Sequence, residues 1–118
     1  MDVAPSVASP LGRITIANEA VAQIVGHTAA ECYGVVGMAP RGGRVGRLLA
    51  RDRLRQGIEV EREGDGVGID LHVVVEYGLN LAEVAATVRS RVTYEVERLT
   101  GLRVSRLEVH IEDVRRSA

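Results

Sequence analysis

Hydrophobic and polar residues follow two distinct rhythms along this chain. After Gly12, Ile14 and Ile16 alternate with Arg13 and Thr15, which predicts a short strand. Val21, Ile24, Val25, Thr28, Ala29 and Cys32 then recur at offsets 0, 3, 4, 7, 8 and 11. That is a helical stripe that needs a core to face, with Asn18 as its expected cap and Gly34 as its stop. Val35, Val36 and Met38 form a short apolar segment closed by Pro40. Ile58 and Val60 alternate with Glu59 and Glu61 ahead of Gly64-Asp65-Gly66, a hairpin turn. Beyond it Ile69, Leu71, Val73, Val75 and Tyr77 recur at period two, with Asp70, His72 and Glu76 between them, which predicts a strand with one buried and one wet face.

Gly78 breaks that strand, and Asn80 caps a long helix with Glu83 at its third position. Its stripe is Leu81, Val84, Ala85, Val88, Val92, Val96 and Leu99, and Gly101 is the left-handed stop. A last strand carries Leu107, Val109 and Ile111 on one face and Glu108, His110 and Glu112 on the other. Val104 is out of phase with it, which predicts a bulge near Ser105. Two amphipathic helices and one-sided strands pack as two layers. The expected class is α+β, a two-layer sandwich with a mixed β-sheet of about 4 strands and both helices on one face. The path through the second helix makes the strands on either side of it parallel.

Composition narrows the chemistry. The chain has 118 residues, and its 15 basic residues are all arginine. Without lysine there is no Schiff-base chemistry and no GxxxxGK[ST] phosphate loop. Cys32 is the single cysteine, which excludes an intramolecular disulfide and multi-cysteine metal sites and fits a reducing compartment. No apolar run approaches the roughly 20 residues of a membrane helix. Asp2 stands where a signal peptide carries positive charge, so no export signal is read. Residues 1–11 hold two of the three prolines and are expected to form a disordered tail. Residues 12–114 are expected to form one domain with a basic insertion at 41–56, and 115–118 a second tail.

The net charge of −1 conceals a sharp asymmetry. Residues 41–56 carry Arg41, Arg44, Arg47, Arg51, Arg53 and Arg55 against Asp52, a net +5, while the residues before and after sum to −2 and −4. If helical, the segment places Arg44, Arg47, Arg51 and Arg55 on one face and Val45, Leu48 and Leu49 beside it. Such an element suits an acidic partner, an anionic lipid surface or nucleic acid. The plainer reading pairs these arginines with Glu59, Glu61, Glu63 and Asp65. Aromatics argue against base readout, which relies on stacking. Only Tyr33, Tyr77 and Tyr94 are present, scattered, with Tyr77 on the buried parity.

Two blocks carry a family resemblance. In residues 12–39, Gly12, Ile14, Ile16, Val21, Ile24, Gly34, Val35, Gly37 and Met38 meet the pattern G-x-I-x-I…V-x-x-I…G-V-x-G-M. In residues 77–114, Tyr77, Gly78, Leu81, Val84, Ala85, Val88, Val92, Val96, Glu97, Thr100, Gly101, Leu102 and Val104 meet Y-G-x-x-I/L-x-x-V-A-x-x-V…V-x-x-x-V-E-x-x-T-G-L-x-V. Together they resemble the alkaline shock protein family, small envelope-stress proteins of Gram-positive bacteria. Arg89, Leu99 and Glu108 depart from it, where glutamine, methionine and asparagine are usual. The resemblance implies a cytoplasmic, non-enzymatic protein that self-associates and is held at the membrane by partner proteins. It supplies no catalytic residues.

Two surfaces are therefore candidates. Arg41, Arg44, Arg47, Arg51 and Arg55 would meet an acidic partner, a membrane-anchored adaptor or, as the alternative reading, a polyanion. Asp70, His72, Val74, Glu76, Glu108 and His110 would form the open sheet face used for homo-oligomerisation. His72 and His110 become neighbours if their strands pair, and two imidazoles with a carboxylate suit zinc. No ligand spacing in the sequence is diagnostic, so an ordinary solvated or subunit-covered face is preferred, with no metal or cofactor expected.

Overall fold

A computed structural model describes residues 6–9, 12–39 and 57–116. The described elements run β1 (Ser6–Ser9), β2 (Gly12–Thr15), α1 (Asn18–Ala30), β3 (Val35–Met38), β4 (Ile58–Glu63), β5 (Gly66–Glu76), α2 (Leu81–Thr100) and β6 (Arg103–Arg115). The architecture is the expected two-layer α+β sandwich with a mixed sheet.

β5 organises the main sheet. On one edge it pairs antiparallel with β4 through Gly66–Leu71 and with β3 through Val73–Val75. On the other it pairs parallel with β6 along its whole length. β3 and β4 thus lie end to end along one edge, and they separate at His72. The His72 carbonyl accepts from Ala39 N at 2.9 Å, and its N–H donates to Gly57 O at 2.8 Å. Residues 40–56 therefore join two points held by one residue of β5.

The core lies between the sheet and the helices. Ile69, Leu71, Val73 and Val75 of β5 are fully buried against Val21, Val25 and Ala29 of α1 and Val88, Val92 and Val96 of α2. Burying each of these larger side chains contributes about 1.5–3 kcal/mol. Helix α2 starts as its sequence requires, with Asn80 Oδ1 accepting from Glu83 N at 3.1 Å. It ends at Gly101 in the left-handed conformation, whose N–H donates to Glu97 O at 2.9 Å. Leu81 and Leu99, at the ends of its apolar stripe, are exposed.

Several expectations are corrected. Residues 1–11 do not all form a tail, since β1 pairs antiparallel with β2, Val7 opposite Ile14. Proline and serine mark the ends of hairpins as readily as tails. At the other end, β6 continues through Arg115. Asn18 does not cap α1; the cap position is Ala17, and Asn18 instead reaches across to donate its Nδ2 to Val60 O at 3.3 Å. Tyr77 lies beyond the end of β5 and is exposed, with the Arg116 guanidinium 4.5 Å from its ring centre. The polar face of β5 is not wet throughout: His72 and Val74 are buried.

The bulge near Ser105 is present: Val67 pairs with Val104 and Gly68 with Arg106, leaving Ser105 unpaired. A second register shift leaves out Glu112, because Val73 pairs with Ile111 and Val74 with Asp113.

Candidate functional site

The sheet face turned away from the helices carries a dense set of ionisable groups, and the parallel register of β5 and β6 assembles it. Asp70 lies opposite Glu108 and His72 opposite His110. The two imidazoles stack, with ring centroids 4.5 Å apart and planes inclined by 13°. His72 Nδ1 lies 2.7 Å from Glu112 Oε2, and its Nε2 lies 4.0 Å from Glu59. The bulge at Glu112 positions that carboxylate beside the buried ring. His110 Nε2 lies 3.1 Å from Asp70 Oδ1 and 3.8 Å from Glu108 Oε1.

Arg106 anchors the other half of the face. Its Nε donates to Glu63 Oε2 at 3.0 Å, and its two terminal nitrogens reach Glu61 Oε1 and Asp70 Oδ2, each at 3.1 Å. Glu108 Oε2 is 3.6 Å from the same nitrogen that holds Asp70. The bulge at Ser105 puts Arg106 opposite Gly68, and this glycine leaves room for the pair: a Cβ there would run into the Glu63 carboxylate and the Arg106 guanidinium.

This network shifts proton affinities. The hydrogen bond from His110, and then Arg106, holds Asp70 below the usual carboxylate range. Hydrogen bonds from Arg106 and Ser105 do the same for Glu63. Arg106 is raised well above the usual arginine range by Glu63 and Asp70, so it stays charged at every working pH.

Of the candidates named from sequence, Asp70, His72, Glu108 and His110 are thus brought together. Val74 is buried farther along β5, and Glu76 ends that strand, its N–H on Gly34 O at 2.8 Å. Arg41, Arg44, Arg47, Arg51 and Arg55 lie outside the described residues. Glu61 and Glu63, which the sequence paired with those arginines, hold Arg106.

Arg106 and Gly68 are the members that the sequence reading missed. Arg106 is one arginine among many, and Gly68 sits in an apolar strand with no turn. The out-of-phase step at Ser105 was their one sequence signal.

Other groups are plainer. Cys32 is buried, and burial pushes its thiol up, so it is a core residue rather than a nucleophile. A groove of roughly 700 Å³ between α1 and α2 is lined by His27, Glu31, Arg91, Glu95 and Arg98, among others. Its polar groups pair along the helices, His27 with Glu31 at 3.3 Å and Arg98 with Glu95 at 2.7 Å, and across them, Arg91 with Glu31 at 3.8 Å. Among the described residues no helix is long and apolar enough to cross a membrane.

Comparison with known proteins agrees with this fold. The chain is 35% identical over 107 residues to the uncharacterized protein YloU of Bacillus subtilis, covering 88% of this chain and 89% of that one. It is 28% identical over 108 residues to a stress response regulator gls24 homolog of Streptococcus pyogenes, covering 88% of this chain and 59% of the relative. Among solved structures, a double variant of MamM CTD superposes with a TM-score of 0.56 at 15% identity, covering 86% of this chain and 84% of that one, a likeness of fold alone. The model of the alkaline shock protein 23 family, described as having a cell envelope-related function, matches residues 6–116, and the chain belongs to that family.

Proposed function

We propose that this protein acts without catalysis in the envelope stress response, by associating with itself and with a partner that holds it at the membrane. The carrying observation is β6. It is a strand of 13 residues that pairs with β5 on one edge and, among the described residues, with nothing on the other. An open edge of that length offers backbone donors and acceptors to another strand. The polar face beside it contributes charged groups that fix register. In this reading the protein is cytoplasmic. The arginine segment 41–55, carried between Ala39 and Gly57, faces the acidic partner.

Size-exclusion chromatography with light scattering, run over a range of concentrations, tests self-association. A proline at Val109, in the middle of β6, serves as the edge variant once circular dichroism shows that it folds. Concentration-dependent oligomers that this variant loses support the reading. A strictly monomeric protein that also stays wholly in the supernatant of its native cell lysate, with no crosslinked partner, overturns it.

A further inference from the structure

We infer that Asp70, Glu108 and His110 form a binding site for a divalent transition-metal cation of the zinc type. The three ligand atoms come from two adjacent strands and lie within 4.8 Å of one another. Each carboxylate is divided in the same way. Asp70 gives Oδ2 to Arg106 and turns Oδ1 to His110 Nε2, at 3.1 Å. Glu108 turns Oε2 toward Arg106 and Oε1 toward the same Nε2, at 3.8 Å. Two tetrahedral ligands about 2.0–2.2 Å from one zinc ion stand roughly 3.4 Å apart. The observed separations bracket that value, so the ion needs only small side-chain adjustments.

The surroundings favour a cation. Glu61, Glu63 and Glu112 add negative charge to the face, against Arg106 as its one described guanidinium partner. Arg106 takes the place of an outer-shell group, fixing the far oxygens of both carboxylates while the near ones converge. The backbone beneath is a continuous parallel ladder, so the ligands are preset by sheet register rather than by a loop.

An imidazole with two carboxylates selects zinc-like ions over calcium and magnesium, which prefer all-oxygen shells. Water would fill the open fourth position. Without metal, His110 Nε2–H donates to Asp70 Oδ1. Zinc takes the Nε2 lone pair: in the neutral ring the proton moves to Nδ1, and from the imidazolium the Nε2 proton leaves to solvent, so protons compete with zinc and binding weakens as pH falls.

Isothermal titration of the tag-free chain with zinc chloride tests this, alongside cobalt(II) absorption as a direct report of coordination. One ion per chain is expected, with intense visible cobalt bands that excess magnesium does not remove. His110→Ala and Glu108→Gln should each weaken zinc binding by more than the roughly 10–100-fold typical of losing an outer-shell partner. His27→Ala, which removes an exposed imidazole on α1, should leave it unchanged. Absence of stoichiometric binding at neutral pH overturns the inference, as does equal affinity in the His110 and Glu108 variants when circular dichroism shows them folded. In either case the cluster is an ion-pair network closed by a proton on His110.

Discussion

His72 and His110 stack face to face at 4.5 Å, and each ring has its own carboxylate, Glu112 for the first and Asp70 for the second. Parallel pairing puts them directly opposite, and the bulge at Glu112 brings an acid back beside the buried ring. Stack and hydrogen bond contribute separately, and two substitutions separate them. His72→Phe keeps a stacking ring, a larger one, and loses the bond to Glu112, so it is expected to cost about 1–3 kcal/mol. His72→Ala also opens a cavity under the face and should cost more. Urea unfolding of both variants checks the order; equal losses would mean that the stack contributes nothing.

Gly57 and Gly68 answer to different constraints, and alanine at each should show it. Gly57 has φ +76°, and a Cβ there would strike the Ala39 and His72 carbonyls, both backbone. Gly57→Ala is expected to cost at least the roughly 1–3 kcal/mol of left-handed strain, with the backbone clash added. It should also loosen the point where residues 40–56 rejoin the sheet. At Gly68 the atoms a Cβ meets first are the ends of the Glu63 and Arg106 side chains, which can swing away. Gly68→Ala should therefore unfold close to the wild type, within about 1 kcal/mol, while the Glu63–Arg106 pair is lost. Thermal unfolding measures the contrast, and a Gly68 variant as damaged as the Gly57 one would contradict it.

Arg106 holds acids that would otherwise repel one another. Arg106→Gln leaves Glu61, Glu63, Asp70 and Glu108 gathered without their cation. The melting temperature should fall, and added salt should recover part of the loss, because about 0.1 M salt screens charges beyond about 10 Å and higher salt screens closer ones. Arg106→Lys should fall between, since an ammonium cannot serve the separate acceptors that the guanidinium fork reaches. A melting temperature in Arg106→Gln that ignores salt would show that the cluster is too hydrated to repel.

Much of this fold was legible in the chain because its helices and strands repeat their own periods. Asn80, Gly101 and the stripe Val84, Val88, Val92 and Val96 are local signals, and local signals survive folding. The hidden features are those that depend on two strands at once. Nothing near Gly68 announces that an arginine 38 positions later will cross it. Nothing near His72 announces that it will be buried, because its cover is supplied by β4 and β6. Asn18 looked like a cap for the same reason: its partner, Val60, lies on another element. β1 was hidden because a short strand of small residues resembles a tail until its partner is known.

Asp70 links the network to pH. The hydrogen bond from His110, with support from Arg106, holds its carboxyl below the ordinary aspartate range in the folded chain. Unfolding returns that carboxyl to about 3.9. The unfolded state then binds the proton more readily, so the stabilisation is complete above about pH 4 and is lost as pH falls through the lower folded value. Glu63, lowered by Arg106 and Ser105, acts in the same direction. Chemical unfolding from neutral pH down to about pH 3 should show stability falling most steeply in the acid part of that range. Asp70→Asn removes one of the two titrating groups and is expected to be less stable at neutral pH but to lose less on acidification. If wild type and Asp70→Asn lose stability in parallel, the His110–Asp70 bond does not hold the carboxylate in solution, and the acid sensitivity lies with other carboxylates of the chain.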